Sequence, residues 1–190
     1  MIVPIQLEHD CFYHIYNRGN NGEDIFVEHG NYVYFLKLTT KYILPVADVY
    51  SYCLLKNHFH LLIRIKEQPK NAEQNVSNLF NSYAKAFNKK YGRTGKLFEE
   101  RFKRKKIDQD SYLTEMVYYI HANPQKHKLI DDFRNYQYSS YVSLTSKKNT
   151  GLKREDVLQW FGGTEMFQEY HLAKKISLDI DRDAEDIIEF

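Results

Sequence analysis

Lys56-Asn57-His58-Phe59-His60-Leu61-Leu62-Ile63-Arg64-Ile65 is the stretch on which the reading of this chain turns. On a strand, successive side chains point to opposite faces. Phe59, Leu61, Ile63 and Ile65 therefore make one apolar face that must meet a core, and His58 and His60 share the other face. Val46 to Leu55 is a second apolar run. The polar break Lys56-Asn57 between the two runs predicts a hairpin.

Working outward, Phe12 to Arg18 is rich in strand formers and stops at the turn cluster Gly19-Asn20-Asn21-Gly22. Residues 30–43 place Tyr32, Phe35, Leu36, Leu38 and Tyr42 at helical spacing, and Pro45 ends that helix. Beyond Pro69 a second helix is expected, capped by Asn75 or Ser77, with Val76, Leu79, Phe80, Tyr83 and Phe87 as its stripe and Gly92 as its stop. Gly95 to Ile107 reads as an extended basic segment. Asp108 and Asp110 precede a third helix whose core face is Leu113, Met116, Val117 and Ile120, closed by Asn123-Pro124. The order strand, helix, strand, strand, helix, strand, helix predicts an α+β fold with a ferredoxin-like antiparallel sheet. This domain spans 1–130. Residues 131–190 are expected to be a C-terminal tail: a polar-aromatic stretch from Tyr136 to Tyr141, a loop at 146–151, two short amphipathic helices and an acidic, frayed end at 179–189.

With 190 residues the chain is large enough for a core without staples. Cys11 and Cys53, with no CxxC, argue against a disulfide framework or a thiolate zinc site. The N-terminus has no signal-peptide pattern and no apolar run approaches a membrane span, so a soluble, cytoplasmic protein is expected. The net charge of +2 hides a split. Residues 1–130 carry 19 Lys and Arg against 13 Asp and Glu, a net of +6, whereas residues 131–190 carry 8 against 12, a net of −4. Ten basic residues fall between Lys85 and Lys106. By charge alone that block fits a polyanion surface or a solvated helix face.

Two imidazoles on one strand face next to a core suit a single divalent cation, and equally a solvated strand face. On the third helix Tyr119 and Asn123 are four residues apart and flank the core face together, with Tyr112 on the same flank and Tyr118 on the opposite side. A phenol and an amide oxygen so placed can act as nucleophile and hard metal ligand. The same pattern fits a tyrosine edging the core and an asparagine ending the helix.

His58-Phe59-His60 resembles the His-hydrophobic-His motif of HUH enzymes, and Asn57 to Ile63 is similar to the corresponding strand of single-tyrosine HUH transposases, the REP-associated tyrosine transposases above all. Three more segments match in order: His14-Ile15-Tyr16-Asn17-Arg18-Gly19, Tyr91 to Phe102, and Tyr119-Ile120-His121-Ala122-Asn123-Pro124. Together they span about residues 12–130. The resemblance implies that His58, His60 and Asn123 hold Mg²⁺ or Mn²⁺. It also implies that Tyr119 attacks a phosphodiester of single-stranded DNA, leaving a 5′-phosphotyrosine link and a free 3′-hydroxyl. The basic side chains of these segments and of the charge block, Arg18, Arg93, Lys96, Arg101, Lys103, Arg104, Lys105 and Lys106, become the candidate DNA contacts. The implied partner is hairpin-bearing single-stranded DNA, with no membrane. The implied assembly is a monomer or a homodimer in which Tyr119 serves the partner's site. The competing readings are an HUH-type nickase and a non-catalytic DNA-binding protein derived from a transposase.

Overall fold

The computed structural model describes residues 6–67, 71–99, 101–109 and 112–184, the last nine of these as backbone. Pro69, Asp110 and residues 185–190 lie outside the described residues. The element order is β1 (Phe12–Arg18), α1 (His29–Tyr42), β2 (Ala47–Leu54), β3 (His58–Ile65), α2 (Ala72–Tyr91), β4 (Lys103–Ile107), α3 (Leu113–Lys126), α4 (Tyr141–Thr145), α5 (Arg154–Trp160) and α6 (Thr164–Ala184). The four strands pair antiparallel in the order β2-β3-β1-β4, the ferredoxin-like arrangement.

Alternation along the strands divides the molecule. Tyr13 and Ile15 of β1 and Phe59, Leu61, Ile63 and Ile65 of β3 point to one face and pack on Phe35 of α1 and on Val76, Leu79, Phe80 and Tyr83 of α2. On the other face Leu62, Tyr50, Cys53 and Ile107 pack on Leu113, Met116, Val117 and Ile120 of α3 and on Phe133, Tyr141, Leu144, Val157 and Phe167 of the tail. Residues 131–175 thus complete the second core instead of trailing from the first. The hairpin register breaks between Val49 and Ser51. That bulge lets both Val49 and Cys53 be buried, on opposite faces.

Local chemistry explains the helix limits. Glu28 and Asn31 form a reciprocal capping box at the start of α1. Gly92 ends α2 in the left-handed conformation at φ 61°, its N–H donating to the Asn88 carbonyl. Three expectations are corrected. α2 starts at Ala72, so neither Asn75 nor Ser77 is its cap, because burial of Ala72 and Val76 carries the apolar stripe one turn earlier. α3 runs through Pro124 to Lys126: Asn123, Pro124 and Gln125 are buried, and Gln125 accepts the Phe133 N–H at 3.2 Å, which fixes the extra turn against the tail. The tail ends not in a short helix but in the 21-residue α6.

Candidate active site

β1 and β3 are neighbours in a register that places Tyr16 opposite His60 and Arg18 opposite His58. Cross-strand partners share a face. His14, Tyr16, Arg18, His58 and His60 therefore form one polar patch at one end of the second face, where the apolar side chains stop. The C-terminal half of α3 lies over this patch. The Tyr119 ring stands edge-on to His60 at 5.7 Å and to His14 at 5.9 Å between centroids. His127, just past the end of α3, stands edge-on to His58 at 4.8 Å. Lys126 Nζ sits 4.8 Å from the centre of the Tyr119 ring.

Hydrogen bonds set which ring nitrogens are available. His58 Nδ1 donates to Asn57 Oδ1 at 2.7 Å, and Asn57 Nδ2 in turn faces the Gly22 carbonyl. This leaves the His58 Nε2 lone pair free. His60 Nδ1 bonds His14 Nε2 at 2.9 Å, and His60 Nε2 is buried with no hydrogen-bond partner. The Asn123 amide is close enough to His60 to favour its charged form, and it also favours the ionised form of the Tyr119 phenol. Asn123 is itself held by donating Nδ2 to the Tyr119 carbonyl at 2.7 Å.

The electrostatics keep these rings neutral. Burial, reinforced by Lys105, lowers His14 to about 4. Burial, then His127 and Arg18, lowers His58 to about 4. Burial and the surrounding imidazoles lower His60 further below the ordinary range, and burial with Arg18 and Lys126 lowers His127. Burial raises the Tyr119 phenol although the residue is 38% exposed.

This donor set fits a divalent cation. Two neutral imidazoles have their Nδ1 atoms engaged by neighbours and their Nε2 atoms without a partner, that of His60 a buried one; the lone pair is on Nε2 of His58, and on Nε2 of His60 when its Nδ1 donates to His14. Among the described residues no group of three His, Cys, Asp or Glu could hold a metal, so the set would be two imidazoles and one amide oxygen.

The remaining sequence candidates divide. Arg18 faces the patch and acts on the charge of His58 and His127. Lys103 and Lys105 stand opposite Tyr16 and His14 and share their face. Arg104 and Lys106 point to the other face, Arg104 over the Phe102 ring at 4.6 Å and Lys106 in an ion pair with Glu8 at 2.8 Å. Arg93 is ion-paired with Glu23 and bonded to Asn88. Lys96 and Arg101 are exposed on the segment that runs beside the end of β1, where Glu99 N–H bonds the Arg18 carbonyl. Sequence reasoning passed over His14, Tyr16, Lys126 and His127 as site residues. Tyr118, expected opposite the core, is buried by the tail, its hydroxyl donating to the Lys174 carbonyl at 3.2 Å.

No protein-family model matches the chain. A Haemophilus influenzae protein named as a REP-associated tyrosine transposase is 28% identical over 104 residues, covering 50% of this chain and 58% of that protein. A solved structure of a REP-associated tyrosine transposase bound to a REP hairpin superposes with a TM-score of 0.61 at 14% identity, covering 77% of this chain and 86% of that one. The chain resembles these transposases in both sequence and fold. The matched sequence spans little more than half of the Haemophilus protein's length, and the structural likeness extends over most of the transposase seen with its hairpin.

Proposed function

We propose that this protein is a DNA strand transferase that cleaves and rejoins single-stranded, hairpin-bearing DNA, with Tyr119 as nucleophile and the cytoplasm as its place of action. The observation that carries the reading is the convergence of Tyr119, Asn123 and the free Nε2 atoms of His58 and His60 on one half-buried patch, flanked by Arg18, Lys103 and Lys105. Sequence and fold likeness to REP-associated tyrosine transposases, one of them seen with a REP hairpin, supports the substrate class.

In the reaction the Tyr119 oxygen forms a bond to the scissile phosphorus while the bond to the 3′ oxygen breaks. The phenol loses its proton and the leaving 3′ oxygen gains one. Rejoining is the reverse step with another 3′-hydroxyl, so the linkage energy is conserved and no nucleotide triphosphate is needed. Mg²⁺ or Mn²⁺ bound by His58, His60 and Asn123 would supply positive charge to the non-bridging oxygens. Asn57 holds His58 in the tautomer this needs, and His14 does the same for His60 when it accepts from the His60 Nδ1–H. Arg18, Lys103 and Lys105 supply phosphate affinity without base choice. The 5.7 Å between the Tyr119 and His60 rings of one chain supports the reading in which the tyrosine serves its own subunit over the one in which it serves a partner's site. Among the described residues no helix is long and apolar enough to cross a membrane.

The test is adduct formation on hairpin-bearing single-stranded DNA with Mg²⁺ or Mn²⁺. The wild-type protein is expected to form a covalent protein–DNA species and a free 3′-hydroxyl, and Tyr119→Phe neither, with DNA binding retained. An adduct from Tyr119→Phe would overturn the assignment.

A further inference from the structure

A phosphodiester carries one negative charge shared by two non-bridging oxygens, and in-line attack leaves both oxygens facing outward from the line between the attacking and leaving atoms. A cation on His58, His60 and Asn123 would act on them from the sheet. The structure holds a second source of positive charge on the helix. Lys126 is the last residue of α3, seven after Tyr119. Two turns of about 3.6 residues bring position 126 to within about 20° of position 119, and helical side chains lean toward the N-terminus. Lys126 reaches back along its own helix, and its ammonium stands 4.8 Å from the centre of the Tyr119 ring.

That ammonium is not matched by an acid. Glu115, one turn before Tyr119, favours its charge. Glu115 is itself engaged by Lys174 Nζ at 3.0 Å and by the Tyr170 hydroxyl. Among the described residues no carboxylate pairs with Lys126. Burial lowers the Lys126 pKa, Glu115 opposes the shift and Lys174 adds to it. An unpaired cation so crowded is costly until an anion joins it. Lys126 and Tyr119 are both exposed, so a bound strand can reach them. A cation at the C-terminal end of a helix also offsets the helix dipole, but a side chain with that task alone has no need to turn back over Tyr119.

We propose that Lys126 is a further catalytic residue, its ammonium binding a non-bridging oxygen of the phosphate that Tyr119 attacks. The proposal rests on the reading of the protein as a strand transferase and adds one residue to it. As the Tyr119 oxygen bonds to phosphorus and the bond to the 3′ oxygen breaks, negative charge gathers around the phosphorus. A fixed ammonium beside the nucleophile stabilises that charge more than it stabilises the bound substrate. Lys126 keeps its proton throughout. Arg18, Lys103 and Lys105 come from the sheet and suit phosphates on either side of the cut. Lys126 comes from the helix that carries the nucleophile, so nucleophile and charge are held on one rigid element.

The experiment measures single-turnover adduct formation at saturating hairpin-bearing DNA with Mg²⁺ or Mn²⁺, for the wild type, Lys126→Met and Lys126→Arg. The DNA carries either the natural scissile phosphate or one of its two methylphosphonate diastereomers, each of which replaces one non-bridging oxygen with a neutral methyl group. On natural DNA Lys126→Met should be slowed about 100-fold, the scale of losing one donor aimed at developing charge, and Lys126→Arg should recover most of the rate. Affinity for DNA in EDTA should change little, and thermal melts check that both variants fold. On the diastereomer that lacks the oxygen facing the lysine, Lys126→Met should react at nearly the wild-type rate. A wild-type rate for Lys126→Met on natural DNA, no recovery in Lys126→Arg, or the same penalty on natural DNA and on both diastereomers would each overturn the role of Lys126. Any of these results beside a wild-type adduct removes Lys126 and leaves the strand transferase, whereas no adduct from the wild type overturns both.

Discussion

The face of the sheet under α1 and α2 and the face under α3 share the same four strands, yet they are filled by different means. The first is filled by aliphatic and aromatic side chains, with Phe35 in ring contact with both Phe59 and Tyr83, and turns polar only at the β4 edge, at Arg104 and Lys106. The second is apolar only in its middle, where α3 and the tail meet Leu62 and Cys53. At its two ends the apolar residues give way to the histidine patch and to a hollow lined by Arg64, Asp156 and Trp160. Buried polar atoms without partners occur on both faces, Arg104 Nη1 at the edge of the first and His60 Nε2 and Arg64 Nε at the two ends of the second, but only on the second do they sit among clustered polar side chains.

The comparison predicts opposite responses to truncation. Alanine at both His58 and His60 should abolish Mg²⁺- or Mn²⁺-dependent cleavage, and chelation of the wild type should do the same. The double variant should keep a cooperative melt at a lower temperature, because His60 is buried and bonded to His14 while the apolar clusters on both faces stay intact. Cleavage by the double variant, or wild-type cleavage that survives EDTA, breaks the metal assignment. Phe59→Ala, one residue between them on the other face, should do the reverse: a loss of about 3–5 kcal/mol of stability in denaturant unfolding. Where that variant remains folded, the site chemistry should persist.

Much of this contrast was legible in the sequence. Period-two alternation from Phe59 to Ile65 separates the core face from the His58–His60 face without any structure. Helical phasing likewise puts Tyr119 and Asn123 beside Leu113, Met116, Val117 and Ile120. What was not legible depends on partners distant in the chain. His14 joins His60 only through the register of two strands 46 residues apart. His127 reaches His58 only because α3 continues through Pro124, where local preference would stop it. Tyr118 lies opposite the sheet-facing stripe, and only the later packing of α6 buries it. A one-helix pattern registers one buried face and misses a second, which is why the tail's contribution to the core was invisible.

That tail docks through polar contacts as well as packing. His171 Nδ1 donates to the Phe167 carbonyl at 2.8 Å, so its Nε2 accepts from His121 Nδ1 at 3.0 Å. His121 Nε2 in turn lies 2.8 Å from Ser140 Oγ. Burial lowers His171 to about 4 and lowers His121 as well. Both rings are neutral in the folded chain, whereas in the unfolded chain they take up protons near pH 6.5. Their stabilisation is therefore complete above pH 6.5 and is lost as the pH falls toward 4, by about 2 kcal/mol for His171 at pH 5. His14 and His58 titrate in the same sense, so the whole protein should melt at a lower temperature at pH 5 than at pH 7. His171→Asn should lower stability at pH 7 and reduce that pH dependence. An unchanged slope between pH 5 and pH 7 in the variant would mean that His171 takes up protons alike in the folded and unfolded chains.

The smallest expected effect divides the basic strand itself. β4 carries four consecutive cations, and antiparallel pairing with β1 sends Lys103 and Lys105 to the histidine face and Arg104 and Lys106 to the other. Lys103 and Lys105 are exposed, whereas Lys106 is paired with Glu8 and Arg104 lies over Phe102. Replacing Lys103 and Lys105 with Gln should weaken single-stranded DNA binding and reduce the slope of log K against log salt by about 0.7 for each phosphate contact removed. Replacing Arg104 and Lys106 with Gln should leave the slope nearly unchanged and act, if anywhere, on stability, since an exposed ion pair contributes only about 0–1 kcal/mol. The two double variants remove the same formal charge from adjacent positions, so a general charge effect would flatten both slopes equally. Equal flattening would show that DNA senses the block as a whole and not the face that carries the histidines. A larger loss from the Arg104 and Lys106 pair would place the strand on the other side of the sheet edge and break the proposed path past Tyr119.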